Sequence, residues 1–250
     1  MNLKENYVKA SSEPIRDCIH PVILPCEKEG EYFVEKVTLE KKPLYDFLKR
    51  AFDIIASGLA MILLALPLLV VAIVVKCTSP GTALYSQDRL GLNGKKIRII
   101  KFRSMRVDAE KDGVARLATK NDDRITPIGK FIRKTSLDEL PQLINILKGD
   151  MTIVGPRPER PEIAAQYKEI IPEFDFRLKV KAGLTGYAQV YGKYNTTPYD
   201  KLKLDLTYIE NYSFWLDIKL LFLTFKILFQ KENTEGIDAN QITAVKGKKE

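Results

Sequence analysis

The sequence predicts an α+β fold that is mostly helical with short β-hairpins. It also predicts a monotopic membrane protein, held by a proline-kinked re-entrant helix and by interfacial amphipathic helices. Three observations indicate this fold class. Residues 54–75 are almost wholly apolar. Short segments rich in β-branched and aromatic residues follow, separated by glycine turns. Beyond them, segments with helical periodicity begin at capping signals such as Thr-Pro.

The apolar run is about 22 residues long, enough to span the hydrocarbon core of a bilayer. Pro67 lies inside it, where proline kinks a helix. Both flanks are basic, and the positive-inside rule would therefore keep both ends on the cytoplasmic face. The basic residues are Lys41, Lys42, Lys49 and Arg50 before the run, and Lys76, Arg89, Lys95, Lys96 and Arg98 after it. A helix that dips into the bilayer and returns satisfies both observations. A plain transmembrane span and a buried core helix are the alternatives.

Two short strands follow the apolar run. Residues 83–87 and 96–102 are rich in β-branched and aromatic residues, and residues 91–94 supply the turn of a hairpin. Lys101 and Arg103 lie two residues apart, so an extended chain places them on one face. A charged surface strand would show the same pattern.

Residues 135–151 predict a helix with a marked beginning and end. Ser136 and Glu139 fit a capping box, and Gly149 is a typical C-terminal stop. Pro141 is tolerated without cost only if Asp138 is the N-cap. In either case two acids, Asp138 and Glu139, lie at a helix N-terminus, where the helix dipole favours their ionised form. Ordinary first-turn acids are the alternative. The predicted core face is Leu140, Leu143, Ile144 and Leu147.

Basic residues lie on both sides of this helix. Thr126-Pro127 predicts a short basic helix carrying Lys130, Arg133 and Lys134. After the helix, Arg157 lies between two prolines, which limit the backbone entropy lost on binding, and its planar side chain matches a phosphate. A proline-rich turn with an exposed arginine is the alternative.

Three further helices are predicted, at residues 161–171, 198–211 and 214–229. The last is dense in aromatic residues and is interrupted by charges, which is typical of an interfacial helix or of a core helix.

Composition limits the chemistry that the chain can carry out. Its 250 residues include 40 Lys and Arg against 32 Asp and Glu, and the net charge of +8 suits an anionic partner. Three cysteines without CxxC spacing indicate a reducing compartment. His20 is the only histidine and lies in a polar segment, which argues against a Ser-His-Asp or Cys-His mechanism. No GxxxxGK[ST] or GxGxxG motif is present. Catalysis would therefore rest on carboxylates, arginine and lysine.

These motifs, in order, resemble the bacterial sugar transferases, which are monotopic phosphoglycosyl transferases acting on polyprenyl phosphate. The resemblance covers residues 44–230. The matching segments are Lys49-Arg50 with Phe52-Asp53, Thr78 to Gly81, Lys101 to Met105, Ser136 to Leu143, Lys148 to Met151, Val154 to Glu159, Gly183 to Gly186, and Tyr208-Ile209 through Trp215 to Asp217.

The resemblance implies transfer of a sugar 1-phosphate from a UDP-sugar to undecaprenyl phosphate, with release of UMP. Asp138 is implied as the nucleophile that carries a covalent phosphosugar. Glu139, with Asp138, is implied to hold Mg²⁺. Lys101, Arg133 and Arg157 are implied to bind the substrate phosphates, and Gln189 and Lys193 to line the nucleotide or sugar site. This reaction would be the first membrane step in the synthesis of an exopolysaccharide, capsule or glycoconjugate.

The predicted organisation follows from the same resemblance. Residues 1–42 are a polar, partly disordered leader; residues 43–77 are the re-entrant membrane helix. Residues 78–230 are the catalytic domain on the cytoplasmic face of the inner membrane, and residues 231–250 are a polar tail. The expected partners are the UDP-sugar, undecaprenyl phosphate and the bilayer, with a homodimer left open. Three positions depart from the common family pattern: Leu66 before the proline, Tyr187, and Lys193.

A second hypothesis is a membrane-anchored protein whose basic surface binds nucleic acid or acidic lipid. Nucleic acid is not an expected partner, because the aromatic residues cluster in the last helix instead of interleaving with the basic ones. The sequence leaves the transferred sugar open.

Overall fold

The computed structural model describes residues 7–8, 23–25, 32–35, 42–109, 122–192 and 196–228. Near the N-terminus, strands β1 (Tyr7–Val8), β2 (Ile23–Pro25) and β3 (Tyr32–Glu35) form an antiparallel sheet in the order β1-β3-β2. The sequence did not predict these strands within the leader. The rest of the leader and the predicted C-terminal tail lie outside the described residues.

Helix α1 (Pro43–Thr78) is 36 residues long, which corresponds to about 54 Å. It continues through Pro67 without a break. Within the described residues it is the one helix long and apolar enough to cross a membrane. Its buried residues are Asp53, Ser57 and Val75. The apolar run therefore forms the predicted helix, while its re-entrant path stays a prediction.

The predicted hairpin is confirmed. Strands β4 (Leu84–Leu90) and β5 (Lys96–Phe102) pair antiparallel along their full length. They are joined by a 3-10 turn (Leu92–Gly94) in which Asn93 and Gly94 have φ values of 55° and 76°. Such left-handed conformations favour asparagine and glycine. Ile97 and Ile99 are buried, so one face of the hairpin packs against the domain.

The rest of the domain is mostly helical, as predicted. Helix α2 (Pro127–Lys134) begins at Thr126, whose hydroxyl accepts the Gly129 N–H as predicted for an N-cap. The later elements are a 3-10 helix (Leu137–Gln142), α3 (Leu143–Lys148), β6 (Thr152–Val154), α4 (Pro161–Ile170), a 3-10 helix (Pro172–Lys179), β7 (Gly183–Thr185), α5 (Tyr187–Tyr191), α6 (Pro198–Asn211) and α7 (Phe214–Leu228). Strands β6 and β7 pair in parallel, and the largest core cluster lies between α4, α6 and α7.

The predicted capping box at Ser136 is wrong. Ser136 has a left-handed backbone (φ 56°), and its side chain makes no cap hydrogen bond. Residues 137–142 form a 3-10 helix because Pro141 lacks an N–H and its ring would clash in a regular α-helix. The stop at Gly149 is confirmed by its φ of 89°.

The change of helix type also alters which residues reach the core. Of the four predicted core residues, Leu143 is buried, whereas Leu140, Ile144 and Leu147 are half-buried. Ile146 is fully buried instead. The predicted face was therefore only partly right, because an α-helical period does not extend back through the 3-10 segment.

Candidate active site

The two acids, Asp138 and Glu139, lie in the 3-10 helix that packs on the β4–β5 hairpin. The 3-10 helix follows the left-handed turn at Ser136, whose carbonyl accepts the Glu139 N–H at 3.2 Å. This local geometry places the two neighbouring carboxylates in different surroundings, one paired and one unpaired.

Glu139 is held by two cations. Lys101 Nζ lies 2.7 Å from Glu139 Oε1, and Arg157 Nη1 lies 3.0 Å from Oε2 while its Nη2 donates to Oε1. Burial would raise the pKa of Glu139, but Arg157 and Lys101 outweigh it and hold this pKa well below the usual range. Glu139 is therefore ionised at neutral pH, and it links Lys101 on β5 to the loop that carries Arg157.

Asp138 is buried, yet within the described part of the chain it has neither a hydrogen-bond nor an ion-pair partner. Burial, followed by the charge of Glu139, raises the pKa of Asp138 to about 6, although Lys101, Arg133 and Arg157 act in the opposite direction. At neutral pH the carboxylate is therefore mostly ionised, and its oxygens are available to attack an electrophile or to bind a cation.

Basic side chains from several elements surround Asp138 and Glu139. Lys101 comes from β5 and Arg157 from the loop after β6, while Arg133, in the last turn of α2, acts on Asp138 through space. Arg89 on β4 adds a fourth cation: its Nη1 donates to the Pro158 carbonyl (3.3 Å) and its Nη2 to Gln87 Oε1 (2.6 Å). Burial, and then the charge of Arg157, lowers the pKa of Arg89 to about 10. The structure thus brings together the predicted phosphate-binding residues.

Sequence reasoning missed the support behind Arg157. Arg177 Nη2 donates to the Arg157 carbonyl at 2.7 Å, and Arg177 Nε donates to Asp205 Oδ2 at 2.8 Å. Glu159 pairs with Lys201 and lies 3.7 Å from Arg177 Nη1. One signal was available, because Asp205 interrupts the apolar face of α6 formed by residues 202, 206 and 209.

Comparison of the sequence with known proteins identifies the family of this chain. Residues 44–231 match the sequence profile of the bacterial sugar transferases. The chain belongs to the bacterial sugar transferase family. It is 46% identical over 195 residues to UDP-glucose:undecaprenyl-phosphate glucose-1-phosphate transferase of Escherichia coli K12, a match that covers 73% of this chain and 42% of that protein.

The chain is also similar to two further relatives with different names. UDP-N-acetylgalactosamine-undecaprenyl-phosphate N-acetylgalactosaminephosphotransferase of Aeromonas hydrophila is 40% identical, with 76% of this chain and 46% of that protein covered. The exopolysaccharide production protein PSS of Rhizobium leguminosarum bv. phaseoli is 44% identical, with 71% and 92% covered. The chain therefore spans less than half the length of the first two relatives and nearly all of the third. The resemblance inferred from the motifs is confirmed at the level of the family.

Within the described part of the chain, no hydrogen bond or ion pair joins the weaker candidate Gln189 to the two acids. Gln189 is the middle residue of α5, and its Nε2 is 3.5 Å from the Leu184 carbonyl. Its Oε1 is buried with no partner in the described part of the chain. Lys193 lies outside the described residues. The predicted role of both in nucleotide or sugar binding stays a prediction.

The family resemblance implies Mg²⁺, and the two acids fit it unequally. The described residues contain no cluster of three or more metal-ligating acids, cysteines or histidines. Mg²⁺ typically takes one or two carboxylates together with substrate phosphates, so such a cluster is not required. The unpaired oxygens of Asp138 suit this role, whereas both oxygens of Glu139 already accept cationic donors. The donor set fits a metal held chiefly by Asp138 and the substrate.

Proposed function

We propose that this bacterial sugar transferase transfers a sugar 1-phosphate from a UDP-sugar to undecaprenyl phosphate. The observation that carries the proposal is an unpaired, mostly ionised Asp138 surrounded by Lys101, Arg133 and Arg157. Phosphoryl transfer depends mainly on positioning and on neutralising phosphate charge. The names of the relatives, all sugar-phosphate transferases or an exopolysaccharide production protein, support the same reaction class.

In the first step, an Asp138 carboxylate oxygen attacks the sugar-proximal phosphorus. The new bond joins that oxygen to phosphorus, and the bond from this phosphorus to the oxygen shared with the second phosphate breaks, releasing UMP. The products are UMP and an aspartyl-phosphosugar. Asp138 needs no general base for this attack, because it is already ionised above pH 6.

In the second step, a phosphate oxygen of undecaprenyl phosphate attacks the same phosphorus and displaces the Asp138 carboxylate. The enzyme is regenerated and the lipid now carries a diphosphate-linked sugar. Splitting the transfer in this way lets one nucleophile serve two substrates in turn. Lys101, Arg133 and Arg157 would hold the phosphate oxygens in both steps, and Mg²⁺ at Asp138 would neutralise further phosphate charge.

The lipid acceptor requires a site at the bilayer surface. We infer that α1 is a re-entrant helix that anchors the catalytic domain there, on the cytoplasmic side. Side chains along its apolar run are exposed, including Ile62 (76%) and Leu66 (71%). Helix α7 adds the exposed aromatics Trp215, Phe222 and Phe225, as expected of an interfacial helix. Proline inside a helix favours a bend, as we infer for Pro67, and the basic flanks favour the cytoplasmic side for both ends.

A panel of UDP-sugars with undecaprenyl phosphate in native lipid tests the proposal by the release of UMP. The wild-type protein should release UMP with at least one sugar, and Asp138→Asn should lower the rate by about a thousandfold or more. Mass spectrometry of the wild type without acceptor should detect a phosphosugar on Asp138. Normal turnover by Asp138→Asn would refute the mechanism. A salt-sensitive complex with nucleic acid and no UMP release would favour the basic binding protein instead.

A further inference from the structure

The motif Lys49-Arg50 with Phe52-Asp53 has no role in the chemistry proposed above. It lies in α1 just before the apolar run. Asp53 is 3% exposed and Ser57, one turn later, is fully buried, whereas most of this helix is exposed. Asp53 is therefore buried in one of the regions where α1 contacts the catalytic domain, here against α3 and β6.

Asp53 is bonded to the strand that leads to Arg157. Its Oδ1 accepts the Ile153 main-chain N–H at 3.0 Å. Ile153 is the middle residue of β6, and the chain continues through Gly155 and Pro156 to Arg157. The Asp53 carboxylate therefore fixes β6 at Ile153, four residues before Arg157, which forms the ion pair with Glu139.

Arg50, three residues earlier on α1, is bonded to the helix that follows the two acids. Its Nη1 and Nη2 donate to the carbonyls of Ile146 (2.6 Å) and Leu147 (2.8 Å), near the end of α3. The last carbonyls of a helix lack partners within it and favour a cation. Arg50 thus holds the segment whose beginning carries Asp138 and Glu139.

We propose that Arg50 and Asp53 are positioning residues through which the membrane helix sets the placement of Asp138 relative to Arg157. One segment carries the nucleophile and the other carries the phosphate-binding arginine, and α1 contacts both. A displacement of about 1 Å in such a site can lower a rate by about a hundredfold. The inference rests on the proposed function, because it concerns the same transfer.

The test compares Asp53→Ala and Asp53→Asn with the control Asp46→Ala, all in the full chain in lipid. Asp46 is an exposed acid of the same helix, so its replacement makes the same change of charge. Asp53→Ala should lower kcat at least about tenfold, with a smaller effect on KM. Asp53→Asn should stay within about threefold of wild type, because its side-chain oxygen can accept the same N–H. The Ile153 amide should exchange hydrogen faster in Asp53→Ala only.

Two results would overturn the inference while wild-type UMP release remains intact. One is a wild-type kcat in Asp53→Ala; the other is an Asn variant as slow as the Ala variant. If Asp53→Ala fails to accumulate in membranes, Arg50→Gln and Arg50→Lys replace it. The Gln variant should lose kcat and the Lys variant should retain part of it, and equal values would contradict the proposal. Absence of UMP release in the wild type would refute the proposed function itself.

Discussion

Arg177 Nη2 lies 2.7 Å from the main-chain oxygen of Arg157, and the same guanidinium forms an ion pair with Asp205 at 2.6 Å. Both Arg177 and Asp205 are almost fully buried. The backbone of the Arg157 loop is therefore fixed from the interior of the domain, and its side chain extends the other way to Glu139. This buried ion pair therefore positions the backbone of an arginine that we propose binds substrate phosphate.

Burial raises the pKa of Asp205 against the opposing charge of Arg177. Replacement of Asp205 by asparagine should nevertheless destabilise the protein by about 3–5 kcal/mol, because it leaves the buried Arg177 charge without its counter-ion. Asp175→Asn is the matched control. Asp175 pairs with Lys168, whose side chain is exposed to solvent, and an ion pair screened by solvent contributes about 0–1 kcal/mol. Unfolding followed in lipid nanodiscs measures both. Equal effects of the two replacements would contradict the larger contribution of the buried pair to stability.

Asp138→Asn should abolish turnover yet stabilise the fold by about 1–3 kcal/mol at pH 7.5. The reason is that the structure buries this carboxylate without a partner, which raises its pKa to about 6 and makes its ionisation costly. Asp88→Asn, at an exposed position, should change stability by less than about 0.5 kcal/mol. A lower melting temperature for Asp138→Asn would disprove this account of the site.

The pH dependence of that stability difference follows from the direction of the shift. An unfolded aspartate titrates near pH 3.9, whereas folded Asp138 titrates at about 6. Between these values the folded state binds more protons, so the wild type loses stability as the pH rises through this window. The gap between Asp138→Asn and wild type should therefore be near zero at about pH 4 and complete above about pH 7.

Glu139→Gln should have the opposite effect on stability. It removes the charge that Lys101 and Arg157 share, which leaves two cations close together without their counter-ion. We expect a loss of about 3 kcal/mol at pH 7.5 together with reduced turnover. The pKa of Glu139 lies well below its usual range, so this contribution is complete at neutral pH and is lost only as the pH falls through that lowered pKa. The same unfolding measurement at two pH values checks it, and a stabilised Glu139→Gln would contradict it.

The decrease of the reaction rate at low pH, the acid limb of the pH-rate profile, should reflect the protonation of Asp138. Because the proposed attack by Asp138 requires the carboxylate, kcat/KM should fall as the pH falls through about 6. Arg133 lowers the pKa of Asp138, so Arg133→Gln should move this limb to higher pH by up to about 1 unit. Lys134→Gln, a neighbouring exposed cation on α2, should leave the limb in place. An unchanged limb in Arg133→Gln would exclude Asp138 as the titrating group or Arg133 as its neighbour.

Much of the fold could be predicted because local signals suffice for it. Helices begin at Thr126-Pro127 and at Thr197-Pro198, as predicted. Each threonine side chain accepts the N–H of the residue three positions later. The apolar run and the glycine turn of the hairpin are equally local. Asp138, Glu139 and Arg157 could be selected as candidates because they lie in motifs whose residue types suit phosphoryl transfer, and the structure brings the three together. Their roles in the reaction stay a prediction.

The rest depends on contacts between residues that are distant in the sequence. Arg50 reaches Ile146 and Asp53 reaches Ile153, across about a hundred residues, and no periodicity carries such information. The unequal states of Asp138 and Glu139 likewise depend on which of them faces Lys101 and Arg157 after folding. Adjacent acids in a sequence cannot reveal that difference.

Ser136 gives a direct comparison between the sequence pattern and the structure. If Ser136 were an N-cap, Ser136→Ala would cost about 1 kcal/mol. In the structure its side chain caps nothing, so we expect a change below about 0.5 kcal/mol, whereas Thr126→Ala at a true cap should cost about 1 kcal/mol. Ser136→Gly should be neutral or stabilising, because glycine adopts the φ of 56° without the strain of a side chain. Thermal unfolding of the three variants in the same lipid decides between the two interpretations. An equal loss of stability in Ser136→Ala and Thr126→Ala would show that Ser136 is an N-cap after all.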